Sequence, residues 1–235
     1  MTRLILVRHA ESEMQGCYVG RLDPPLSIQG RVQAAALARR MAGQSLAAVY
    51  SSLLQRALTT AQIIAVPHGL EVSAIAELVE LDFGDWDGLT YQEIAEIAPQ
   101  RFSRWLADPA EVRPPNGETL LEMSQRVMEA INGIIPAHPG EAVVVVTHGG
   151  PARVIVCHVL GIPLSEQWRI RQDLAAVSWL DFDERGASLS LLNDTCHLQG
   201  NISRWENLLE CGRKSAFTRP EADLRLHSSS QILKY

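Results

Sequence analysis

Leu4–Glu13 reads LILVRHAESE, and the order of residue types in it decides how the rest of the chain is built. Leu4-Ile5-Leu6-Val7 is a short apolar run of the kind a strand buried on both faces requires. The run stops abruptly at Arg8-His9, followed by small Ala10 and then Glu11-Ser12-Glu13. Four apolar residues suffice for a core strand and are too few for a signal peptide or a membrane span. In open α/β sheets, ligands bind beyond the carboxyl ends of the strands. Arg8 and His9 placed there would offer an incoming anion one fixed cation and one nucleophile. Taken alone, the pair reads equally well as a surface Arg-His that merely ends a strand.

Working outward, Gly20–Leu26 is a turn-rich loop, and Ser27 can cap a helix from about Ile28 to Ala42. Ile28, Val32, Ala35 and Met41 approximate one apolar face of that helix. Ala47–Ser51 reads as a second strand, Leu53–Ala65 as a helix and Leu70–Ile75 as a third strand. Glu77–Thr90 is acidic, glycine-containing and aperiodic, hence a loop, and Tyr91–Leu106 reads as two short helices broken near Pro99. Asp108–Gly117, rich in proline and polar residues, is an excursion over the surface. Thr119 with Glu122 forms a capping box opening a long helix to about Ile135, which Pro136–Gly140 ends. Ala142–Val146 is the most apolar strand. A helix from about Pro151 to Leu160 closes on Gly161. Ala175–Phe182 and Ala187–Leu192 flank Asp183–Gly186 as a β-hairpin. Strands alternating with helices predict an α/β fold of three layers, with a mainly parallel central sheet, helices on both faces and an antiparallel edge strand.

The chain has 235 residues, enough for one sizeable α/β domain. A single domain is expected over residues 1–211, followed by a polar, aperiodic tail over 212–235. The formal net charge of −6 disfavours nucleic acid and anionic membrane as partners, so any anion site must be a local concentration of arginine. Only two lysines are present, Lys214 and Lys234, and no Gly-Lys-Ser/Thr phosphate loop occurs. Cys17, Cys157, Cys196 and Cys211 are scattered, as reduced thiols of a cytoplasmic protein would be.

His148 repeats the logic of His9, just past a buried strand and before Gly149-Gly150 and a helix. Glycines there let the backbone approach a ligand, and the helix N-terminus favours an anion. Arg56 lies early in the helix after the second strand; a helix arginine is by default a solvated surface residue, yet this one could reach the same sheet edge. Arg8 and Arg56 can each give two parallel hydrogen bonds to phosphate oxygens. In the loop holding Glu77, Glu80, Asp82, Asp85 and Asp87, the residue types alone single out no acid.

Four ordered segments, LVRHAES, SSLLQRALTTA, ELVELDFGDWDGLTYQEI and VVVVTHGG, together resemble the histidine phosphatase (phosphoglycerate mutase-like) superfamily from Leu4 to about Leu198. The resemblance implies a phosphomonoester phosphatase of the smaller branch, acting on a small phosphorylated metabolite. His9 would be the nucleophile, with Arg8, Arg56 and His148 around the phosphate and Gly149 at its backbone edge. It selects Glu80 as proton donor through the pattern Glu80, Gly84, Trp86, with Phe83 and Trp86 as burying neighbours. It further implies no cofactor and no metal, because cationic side chains do the work, and a cap insert over residues 89–117. A homodimer stays open.

The chain departs from the family pattern in two places. Ala10 stands where Arg-His-Gly is common, and Gln15 where an asparagine usually helps to hold phosphate. Phosphoserine and α-ribazole phosphatases are the branch members most alike, although the phosphoserine-specific ones carry a histidine near Phe83. A cofactor-dependent phosphoglycerate mutase is the alternative within the family; Arg101, Arg104 and Arg113 are dispersed and no lysine joins them. A non-catalytic phosphate-binding module would need no Glu80. A serine hydrolase fails because Gly43–Ala47 precedes a strand where a nucleophile elbow must follow one, and the seven histidines show no HExxH spacing.

Overall fold

The computed structural model describes residues 1–198; the polar tail over 212–235 and the domain end at 211 lie outside the described residues. Six strands form one sheet in the order β3-β2-β4-β1-β5-β6. Strands β1 (Thr2–Arg8), β2 (Ala48–Ser52), β3 (Val72–Ile75) and β4 (Ala142–Thr147) run parallel. Strand β5 (Val177–Asp183) pairs antiparallel with β1, and β6 (Gly186–Asp194) returns antiparallel along β5. The expected hairpin thus supplies the antiparallel side of an otherwise parallel sheet.

The two-residue period of the strands divides their side chains between two cores. Leu4, Leu6, Val143 and Val145 enter one; Ile5, Val7, Val144 and Val146 enter the other. Helices α1 (Ile28–Met41) and α2 (Gln55–Ala65) cover the second face through Ala34, Leu37, Met41, Ala57, Ala61 and Ile64. Helices α5 (Leu120–Ala137) and α6 (Gly149–Leu160) cover the first, joined by Ile94 of the short helix α3 (Tyr91–Ile97) and Phe102 and Trp105 of α4 (Pro99–Ala107). Three layers result.

Local signals act where expected. Ser27 Oγ accepts from Gly30 N at 2.9 Å, Thr119 and Glu122 form the reciprocal capping box, and Gly161, at φ 64°, ends α6. Helix α5 runs to Ala137 with Pro136 inside its last turn, two residues beyond the expected end. Helix α6 starts at Gly149, ahead of Pro151, which the first turn tolerates because its N–H groups have no helical partner.

The expected apolar face of α1 is corrected. Ile28 is 88% exposed and Val32 is also exposed, whereas Gly30, Ala34, Leu37, Ala38 and Met41 are buried. Those positions have true helical spacing, but small residues mark them weakly in any hydrophobicity pattern. Smallness is what the packing requires: a methyl on Gly30 would collide with the carbonyl of Glu11. Among the described residues, no helix is long and apolar enough to cross a membrane.

Candidate active site

Pairing of β1 with β4 sets Arg8 opposite Thr147, so His9 and His148 emerge side by side one residue further on. His9 N donates to Thr147 O at 2.8 Å, and the two rings lie edge to face with centroids 5.0 Å apart. His9 is 6% exposed and His148 fully buried. His9 Nδ1 lies 2.7 Å from Ala10 O; a carbonyl can only accept, so Nδ1 carries the proton and Nε2 the lone pair. His148 Nε2 lies 2.7 Å from Ser52 Oγ, which also accepts from Leu54 N at 3.3 Å. With the hydroxyl hydrogen given to Nε2, the ring proton of His148 sits on Nδ1, buried with no hydrogen-bond partner among the described residues. Burial, reinforced by the Arg56 and Arg8 guanidinium groups, holds both imidazoles well below the ordinary histidine range.

Arg56, the second residue of α2, is 1% exposed. Its guanidinium donates to the carbonyls of Leu22 (2.7 Å), Val19 (3.2 Å) and Gly20 (3.1 Å), so the turn-rich loop is wrapped around it. Asp87 holds the same loop by accepting from Gly20 N and Arg21 N. Arg8 Nη1 donates to Gln172 O at 2.6 Å. Burial lowers the Arg56 pKa, but a guanidinium retains its charge throughout the working pH range.

Of the five acids in the loop after β3, Glu80 alone is buried. Its Oε1 accepts from Leu81 N at 2.8 Å and its Oε2 from Gly150 N at 3.2 Å, which ties the carboxyl to the first turn of α6. A side chain at Gly150 would strike Glu80 Oε1 and press on Met123, so glycine there makes the approach possible. Phe83 and Trp86 are themselves buried; the partners of the Glu80 carboxyl are backbone N–H groups of Leu81 and Gly150.

The structure therefore brings together Arg8, His9, Arg56, Glu80, His148 and Gly149. A methyl on Gly149 would lie 3.6 Å from Arg8 Nε and 3.4 Å from Arg153 Nη1. Gln15 is not drawn in: it is exposed, and its amide donates to Ser12 O at 2.7 Å. Among the described residues, no three His, Cys, Asp or Glu side chains converge as a metal-ion site.

Two participants escaped the sequence reading. Ser52 orients His148, and its only sequence signal is its place at the end of β2. Arg153 is 4% exposed; its Nε donates 2.9 Å to Ile170 O and its guanidinium lies 6.0 Å from the Trp168 ring centroid. Burial lowers its pKa to about 10. An arginine set among the apolar residues of Pro151–Cys157 was the available sign.

A buried imidazole of defined tautomer, ringed by guanidinium groups and a single buried carboxyl, suits attack on a phosphorus atom followed by proton transfer. The model of the histidine phosphatase superfamily (branch 1) matches residues 4–195. Phosphoserine phosphatase 1 of Hydrogenobacter thermophilus is 40% identical over 200 residues, 84% of this chain and 95% of that protein. Adenosylcobalamin/alpha-ribazole phosphatase of Escherichia coli is 32% identical over 193 residues, 81% of this chain and 95% of the relative. The solved structure of Bacillus stearothermophilus YhfR superposes with a TM-score of 0.80 at 30% identity, covering 85% of this chain and 100% of its own.

Proposed function

This chain belongs to the histidine phosphatase superfamily, and from that premise we propose that it hydrolyses a small phosphomonoester through a phosphohistidine on His9, without a metal ion. The observation that carries the reading is the His9 Nδ1 contact to Ala10 O, which leaves Nε2 as a nucleophile of fixed tautomer inside a ring of buried cations. Arg8, Arg56 and the Nδ1–H of His148 hold the equatorial phosphoryl oxygens, and the start of α6 at Gly149 adds its positive end. Nε2 attacks phosphorus, the ester P–O bond breaks, and Glu80 gives its proton to the leaving alkoxide. Water then attacks the phosphohistidine, passes its proton to the Glu80 carboxylate, and inorganic phosphate leaves with both residues restored. Fixed guanidinium groups supply the charge neutralisation that a metal supplies elsewhere.

Phosphoserine is the first substrate we assign, because the 40% identical relative is a phosphoserine phosphatase; α-ribazole phosphate is the second. Residues 89–117 act as a cap over the pocket. The test is a turnover screen of phosphoserine, α-ribazole phosphate and 3-phosphoglycerate, the last with and without 2,3-bisphosphoglycerate, before and after exhaustive chelation. We expect the highest kcat/KM on phosphoserine and no change on chelation. Isomerisation of 3-phosphoglycerate faster than phosphate release from any ester would make the protein a mutase.

A further inference from the structure

Arg126, on the second turn of α5, makes more directed contacts with the Glu80 loop than any residue already assigned a role. Its Nη1 donates to Glu77 O at 2.6 Å and Val79 O at 2.8 Å, and its Nη2 donates to Glu80 O at 3.1 Å. Its remaining face pairs with Glu118 through Nε and Nη2. Glu118 Oε1 also accepts from Asp82 N at 2.9 Å and from Arg21 Nη2 at 3.2 Å. The pair is mostly shielded, with side chains 19% and 15% exposed. Thr147 Oγ1 donates at 2.7 Å to Leu78 O, the carbonyl between those of Glu77 and Val79.

The geometry is specific to its task. The loop is otherwise irregular, and a carboxyl reaching from it to Gly150 N is only as well placed as its own backbone. A planar guanidinium with five donors can satisfy three carbonyls and a carboxylate at once; an ammonium cannot. Glu118 joins the same unit to Arg21, the neighbour of the Gly20 and Leu22 carbonyls that hold Arg56. We propose that Arg126, braced by Glu118, is a positioning residue for proton transfer: it sets the Glu80 carboxyl against the leaving-group side of the phosphoryl cradle without touching substrate.

This rests on Glu80 being the proton donor, and the experiment separates the two claims. Arg126→Lys, Glu118→Gln and Glu80→Gln are assayed on phosphoserine, whose alkoxide needs a proton, and on 4-nitrophenyl phosphate, whose leaving group does not. Thermal melting shows which variants fold, and Glu118→Gln carries the test if Arg126→Lys does not. Expected is a fall in kcat on phosphoserine of ~10-fold or more in both positioning variants, with KM nearly unchanged and aryl phosphate turnover within about threefold of wild type. Adding Arg126→Lys to Glu80→Gln should then cost little more than Glu80→Gln alone, as for two residues acting through one group. Equal slowing of both esters in the positioning variants, beside a selective Glu80→Gln, would overturn this inference alone. A Glu80→Gln that slows both esters equally would remove the proton-donor assignment and the inference with it.

Discussion

Arg56 at the strand ends is 1% exposed and gives its guanidinium to three backbone carbonyls of the loop after β1. Arg113, in the segment between α4 and α5, lies at the surface and pairs with Glu122; Arg101 and Arg104 on α4 are exposed as well. The two regions thus hold the same residue type in opposite ways. Carbonyls orient Arg56 without cancelling its charge, so the field remains available to a ligand and adds to the burial that keeps His9 and His148 neutral. The segment over 91–117 instead invests its burial in aromatic rings, with Phe102 and Trp105 at its centre and Tyr18, Phe83 and Trp86 packed around them. Its cations are solvated or neutralised by a neighbour. Buried charge sits at the strand ends, and buried aromatic rings fill the segment over 91–117.

The largest effect is expected from His9→Ala. Phosphate release from every ester should fall to background while the melting transition persists, and rapid quench of the wild type should trap an acid-labile, alkali-stable phosphoryl group. Activity retained in the variant would move the nucleophile away from the strand ends.

The electrostatics of the strand ends should also appear in stability. His9 and His148 have folded-state pKa values well below 6.5, so below pH 6.5 the unfolded chain binds protons that the folded chain does not. Their contribution to stability is therefore complete above that pH and declines as pH falls, by at most roughly 1 kcal/mol per pH unit for each histidine. Urea unfolding of the ligand-free protein between pH 7 and 5 measures the slope, and His148→Asn should flatten it. An unchanged slope would mean that burial and the arginines do not hold that ring neutral.

The smallest effect is expected in the other region. Arg101→Ala and Arg104→Ala should each leave turnover of 4-nitrophenyl phosphate within about twofold, in keeping with substitutions at exposed sites. A loss confined to carboxylate-bearing substrates, read from KM on phosphoserine against the aryl ester, would sharpen the comparison by giving these arginines a part in selection.

The sequence by itself determined whatever depends on neighbours in the chain. The apolar run Leu4–Val7, the capping box of Thr119 and Glu122 and the break at Pro99 are local patterns, and each produced its element. Arg8, His9 and His148 were legible for the same reason: a charged or nucleophilic residue directly after a buried strand can only emerge at the sheet edge. Tertiary structure decided the rest. Five acids share one loop, yet only Glu80 is buried, because the N–H that receives it is on Gly150, seventy residues later. Arg126 looks like an ordinary helix arginine until its helix docks, since the carbonyls it holds belong to a loop 46–49 residues earlier. The buried face of α1 was hidden because much of it is glycine and alanine, residues with little hydrophobic signal, and at Gly30 a side chain would strike Glu11. Gln15 had the right chemistry, but its side chain is exposed and turns back to donate to Ser12 O. Burial and hydrogen-bond partners are set by contacts between distant segments, and those are made only when the layers close.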